Sequence, residues 1–177
     1  MTAEEARREF DADVTWLPFD LHPEYPPEGI TLGELHRRYG IGERDPLRDR
    51  FQAAGLVYDR PETVPNTKLA LRLTELARER GLHEPFHDRL MDAYWRDAAN
   101  LSDPDVLRAL AHDLPADEVE RTIAGDAYRD RVAASTRQAQ SIGVTGVPAF
   151  LLDGKLLVLG AHPRETFERA FEQLAAA

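Results

Sequence analysis

Cysteine is absent from all 177 residues. That lack excludes disulfides, thiolate metal centres and any cysteine nucleophile. Long hydrophobic runs are missing as well, and no stretch approaches the roughly 20 apolar residues that a membrane-spanning helix requires. The opening Met1-Thr2-Ala3-Glu4-Glu5 is acidic and holds no apolar run. No signal peptide is expected, and the chain is expected to be cytoplasmic. Positive charge is scarce: 22 Lys and Arg stand against 32 Asp and Glu, a formal net charge of -10. Such a surface repels phosphate backbones and anionic lipids, which argues against nucleic acid and membranes as partners. No Walker A loop, G-x-S-x-G elbow, Asp-rich calcium loop or internal repeat occurs.

What is present is a chain with 42% apolar residues, enough for one compact domain or for a core carrying a sizeable insertion. Thr2 to Phe10 reads as a short helix with Thr2 and Glu5 placed as a capping box. Asp13 to Phe19 is β-branched and aromatic and reads as a strand that Pro18 ends. Prolines 23, 26 and 27 then mark a loop or extended arm. Helices are expected from Thr31 to Tyr39, Pro46 to Ala54, Asn66 to Gly81, around Phe86 to Trp95, after Pro104, from Ala116 to Ile123 and from Ala127 to Ser141. The last forty residues change character. Ala149-Phe150-Leu151-Leu152, then Asp153-Gly154, then Lys155 to Leu159 reads as a hairpin with a two-residue turn, because Asp-Gly suits positive φ. His162-Pro163 starts a final helix with Phe167, Ala170, Phe171 and Leu174 on one face.

Several residues invite a chemical reading. His83-Glu84-Pro85-Phe86-His87 matches H-E-x-x-H, which binds zinc only when both histidines share a helix face. Gly81 ends the preceding helix and Pro85 is tolerated only in a first turn, so His83 is expected before the helix and out of line with His87. Zinc is therefore not expected. Asn66 and Arg72 could form a polar site, although a helix cap and a solvated face are the commoner roles. Trp16, Phe19 and Tyr25 could line a groove, but aromatics on a strand are more often core. Gly40-Ile41-Gly42 is a turn. The pairs Asp11/Asp13 and Asp103/Asp105 have no partner to poise them for acid–base work.

The run Gly143-Val144-Thr145-Gly146-Val147-Pro148-Ala149-Phe150-Leu151-Leu152-Asp153-Gly154 resembles the cis-proline region of DsbA-like proteins. Trp16-Leu17-Pro18-Phe19-Asp20-Leu21-His22-Pro23-Glu24 resembles a segment of the FrnE-type branch, and Pro65-Asn66-Thr67 and Gly160-Ala161-His162-Pro163 fit the same branch. The likeness runs from about residue 6 to the C-terminus. It implies an α/β, thioredoxin-like core, residues 1–30 and 140–177, with a large all-helical insertion at 31–139. It also implies a cis Val147–Pro148 bond, with Thr145, Val147 and Pro148 as substrate-binding positions. The implied activity is thiol–disulfide oxidoreduction without metal or organic cofactor. The expected partners are an extended peptide or a small thiol, and a homodimer is left open.

The family's C-x-x-C sits at the start of its first core helix, where the helix N-terminus favours a thiolate. Here the equivalent of that motif and of the first strand would lie before Met1, so no catalytic residue is carried over. A chain of this kind is expected to be inactive in dithiol exchange. The alternatives are a non-catalytic peptide-binding module and a glutathione-linked isomerase of the 2-hydroxychromene-2-carboxylate type. The resemblance places the lost strand between the Trp16 and Phe150 strands, so its loss bares two sheet edges. Three outcomes follow: the two strands close up, another chain supplies one, or the sequence is an incomplete reading of a longer gene, which is the expectation favoured here.

Overall fold

Apolar residues recur at helical spacing through the middle of the chain, and there the computed structural model builds helices. It describes residues 3–39, 46–59 and 61–176. In chain order the first elements are α1 (Ala3–Phe10), β1 (Ile30–Thr31), α2 (Leu32–Tyr39), α3 (Pro46–Ala53), β2 (Thr63–Val64), α4 (Lys68–Glu79) and α5 (His83–Trp95). The rest are α6 (Pro104–Leu110), α7 (Ala116–Ala124), α8 (Arg129–Ser141), β3 (Ala149–Leu152), β4 (Leu156–Leu159) and α9 (Arg164–Ala175). They divide into two units, one of residues 1–21 with 135–177 and one of residues 22–134. The expected positions of Thr2 and of Gly40-Ile41-Gly42 lie outside the described residues.

The 22–134 unit is built on α4. Leu73, Leu76 and Ala77 on its inner face meet Phe86 and Leu90 of α5, Leu107 of α6 and Val119 of α7. Leu73, Phe86 and Leu107 are fully buried. Each such side chain contributes on the order of 1.5–3 kcal/mol by leaving water. Gly81 ends α4 with φ +70, and Leu82 N–H donates to the Ala77 carbonyl at 2.8 Å. This closure turns the chain sharply into α5. Asp103 caps α6, accepting from Asp105 N–H at 2.8 Å, with Pro104 in the first turn. That cap accounts for the Asp103/Asp105 pair.

Two features of this unit depart from the sequence reading. The antiparallel pairing of β1 with β2, Ile30 opposite Val64, is too short to leave a periodic signal. It depends on Gly29, at φ +86, where a Cβ would lie 2.5 Å from the Val64 carbonyl oxygen. The second departure is in α5. His83 is its first residue and not a residue before it, so Pro85 occupies the third helical position, where its missing N–H is still an orphan.

In the other unit α1 and α9 are held together by stacked Phe10 and Phe171 rings, 4.3 Å between centroids. Arg164 adds a charged clamp, reaching Glu9 and Glu5 of α1 and Glu168 of its own helix, the last at 2.7 Å. Phe150 of β3 sets its ring edge against Phe167 of α9 at 4.8 Å. The hairpin pairs Phe150 with Val158 and Leu152 with Leu156. Asp153 and Gly154 both take positive φ, +50 and +66, as their sequence predicts. The loop is nevertheless one residue longer than expected. Lys155 N–H closes the turn on the Leu152 carbonyl at 3.0 Å and Lys155 then stands outside the ladder, so β4 starts at Leu156.

Asp13 to Phe19 is not a strand. Among the described residues it joins no ladder, and β3 pairs with β4 alone. The segment is instead pinned by single bonds: Ser135 Oγ–H donates to the Pro18 carbonyl at 2.7 Å, and Thr136 Oγ accepts from Asp20 N–H at 3.0 Å. Strand propensity reports a fit to a pleated sheet, and without a neighbouring strand it creates none. The two candidate strands have therefore not closed up.

The α1–α9 clamp has a pH signature. Hydrogen bonds from Arg164, then from Arg8, hold the Glu9 carboxyl below its ordinary 4.5. A depressed carboxylate stabilises the fold above its unfolded value, and that stabilisation fades as pH falls through the folded value. Arg164→Ala is expected to lower the melting temperature at pH 7. The gap to wild type should stay full down to about pH 5 and close as pH falls through and below 4.5. A gap that persists unchanged at pH 2.5 would contradict the clamp.

Candidate functional site

The loop between α8 and β3 is fixed at both ends and open in the middle. At its start Gly143, at φ +96, donates to the Gln140 carbonyl at 3.0 Å while Val144 N–H reaches back to Ala139 at 3.0 Å. This pair of bonds satisfies the last carbonyls of α8 and buries Val144. At its end the Pro148 carbonyl accepts from Gly160 N–H at 2.8 Å, extending the hairpin ladder by one rung. Between these anchors Thr145 and Val147 project into solvent, Val147 being 54% exposed. The Val147–Pro148 peptide is cis.

Backbone direction alternates along a strand, so the bond at Pro148 sets the direction of every group after it. Phe150 and Leu152 point at β4, whereas Ala149 and Leu151 point their N–H and C=O away from it. Neither these two residues nor Val147 has another hydrogen-bond partner among the described residues. Side chains alternate as well. Phe150 turns to Phe167, and the opposite face leaves Leu151 51% and Leu159 42% exposed. A strand pair that is apolar on both faces has the composition of one covered on both faces. Between Val144 and Leu159 the ionisable groups are Asp153 and Lys155, which pair with each other at 2.6 Å in the turn. The outward groups of this loop and strand are therefore backbone N–H and C=O at Ala149 and Leu151, apolar side chains and the Thr145 hydroxyl.

The DSBA-like thioredoxin domain family matches residues 2–172, nearly the whole chain. The chain belongs to that family. It is 34% identical to a solved structure described as a probable DsbA oxidoreductase, SCO1869 from Streptomyces coelicolor. That match has a TM-score of 0.80 and covers 88% of this chain and 72% of that one. It is also 24% identical over 172 residues to the uncharacterized protein YwbO of Bacillus subtilis (strain 168), covering 94% of this chain and 84% of the relative. The fold is thus a DsbA-type thioredoxin fold rich in helices, and this member has no cysteine.

Within this DsbA-like chain, the other residues considered from sequence hold structure. Asn66 is a joint. Its Nδ2 donates to the Tyr25 carbonyl at 2.7 Å, its Oδ1 accepts from Lys68 N–H at 3.1 Å, and its own N–H donates to Ser102 Oγ at 2.7 Å. Tyr25 is buried and stacks on His22, as a core aromatic should. Trp16 departs from that expectation at 40% exposed. Arg72 donates to three carbonyls at the end of α7 and beyond: Thr122, Gly125 at 2.6 Å and Ala127 at 2.7 Å. It caps that helix and does not line a solvent face. The outward groups of Ala149 and Leu151 escaped the sequence reading, because only the register shows which way a strand's backbone points.

Arg72→Ala strands three carbonyls that a guanidinium had satisfied. Charge-assisted bonds of this kind contribute roughly 1.5–3 kcal/mol apiece at most, and water recovers part of the loss here, so destabilisation of about 2–3 kcal/mol is expected in urea unfolding. Arg72→Lys, which has no fork, should recover less than half. A change within about 0.5 kcal/mol for Arg72→Ala would mean the cap is idle.

Proposed function

We propose that this chain is a peptide-binding member of the DsbA-like family, of the FrnE-type branch and cytoplasmic, that does no dithiol chemistry itself. The observation that carries this reading is the row of unused backbone groups at Ala149 and Leu151, continuous with exposed Val147 and Thr145. An extended peptide pairs with such an edge through its main chain and seats alternate side chains on the apolar face of Leu151 and Leu159. Thr145, Val147 and Pro148 are then the positions that meet it first. Family membership supports an extended polypeptide as the ligand, and the empty cysteine inventory removes the redox half of the family's work.

Two measurements test the reading. In an insulin-reduction assay the chain should add nothing to the rate set by dithiothreitol alone, and acceleration would refute the redox-silent reading. In calorimetry the full chain should bind a ten-residue peptide of four Thr-Val repeats between terminal lysines, whose charge suits a net -10 protein. The same peptide N-methylated at alternate residues loses the N–H row that pairs with the edge. Two lost backbone bonds, at about 1 kcal/mol each, predict an affinity lower by about tenfold or more. Equal binding of both peptides, or of neither, would refute pairing at β3.

A further inference from the structure

His83 and His87 open α5 one helical turn apart, and their rings lie parallel, 8° between planes and 5.8 Å between centroids. Both side chains are half-buried. Burial pushes both imidazoles below their ordinary value, and at His83 the positive charge of Arg78 pushes the same way. Burial thus favours the neutral form of both rings, the form in which an imidazole nitrogen carries a lone pair for a metal ion. Neither ring forms part of the peptide-binding edge, which lies in another unit of the chain.

We propose that His83 and His87 form an open two-imidazole site for a late first-row divalent cation, holding Cu2+ more tightly than Ni2+ or Zn2+. Imidazole suits all three ions, and at a nitrogen site of fixed geometry affinity rises to copper and falls at zinc. Residues at i and i+4 share a helix face, which is the spacing by which H-E-x-x-H supplies two ligands to one ion. Two metal–nitrogen bonds of 2.0–2.1 Å span at most about 4.2 Å, so the rings turn toward each other about their side-chain torsions when the ion enters.

The surroundings set the strength. Among the described residues no third His, Asp or Glu completes a ligand group, so water fills the other positions. This separates the site from that of a zinc protease, which needs three protein ligands. Around His83, Glu75 and Glu84 favour positive charge while Arg78 opposes it, and Arg78 is itself tied to Glu75 at 3.0 Å. The start of a helix also disfavours a cation. The site is accordingly a weak, exchangeable one and not a structural centre.

The test is titration of the full chain with Cu2+, Ni2+ and Zn2+ in separate calorimetric runs at pH 7. One saturable site is expected, tightest for copper. It should weaken by about tenfold or more in His83→Gln and in His87→Gln, the double substitution adding little to either, because one lost arm already ends the chelate. His22→Gln, outside the site, should bind as wild type does. Electron paramagnetic resonance of the copper-loaded wild type needs no variant to fold, and should show coupling to two imidazole nitrogens. Unchanged copper affinity in the double variant, a spectrum without nitrogen coupling, or zinc binding tighter than copper would each overturn the site.

Discussion

A β-strand carries two rows of backbone donors and acceptors, one on each edge. In the β3–β4 hairpin only the inner rows are matched among the described residues, through Phe150 with Val158, Leu152 with Leu156 and the added rung from Gly160 to Pro148. The positions of the other functional features follow from that pairing. It fixes which residues of β3 face outward, it brings Pro148 to the mouth of the hairpin, and it lays Phe150 onto α9. An unmatched edge beside apolar side chains is a liability that proteins usually cover, charge or use. Here the edge bears Ala149 and Leu151 with no charge between them, so covering or use is the physically consistent outcome.

The helical part of the fold was legible because it is written in local signals. Leucines and alanines spaced three and four apart marked α4, Ser102-Asp103-Pro104 marked the start of α6, and Asp-Gly marked the hairpin turn. The family likeness was legible from the run between Gly143 and Gly154, and the match over residues 2–172 agrees with it. The errors fell where structure depends on something distant. Asp13 to Phe19 has every local property of a strand and lacks the neighbour that would make it one. The β1–β2 contact rests on two residues from each side and on Gly29 having no Cβ.

His83 was misplaced for a different reason. Gly81 and Pro85 together suggest a helix that begins after His83, yet the first turn tolerates proline at several positions because its N–H groups are unpaired there. With the helix starting at His83 itself, the two imidazoles stand one turn apart on it. Arg72 shows a similar limit. Its role as a cap on α7 depends on a packing of α4 against α7 that no window of sequence displays. The Asp103 cap, by contrast, acts within two residues, on the Asp105 N–H.

A DsbA-like scaffold without cysteine has no thiol for dithiol exchange, and the binding proposed for it needs only the backbone groups along β3. The proposed recognition depends on backbone groups at one strand edge, and amide hydrogen exchange in the isolated protein reports those groups one by one. Ladder amides exchange only on opening, whereas unpaired edge amides exchange with solvent directly. The Phe150 and Val158 amides should be strongly protected while those of Ala149 and Leu151 exchange orders of magnitude faster. Protection of Ala149 and Leu151 equal to that of Phe150 would mean the edge is already paired, and the account of this site would fail.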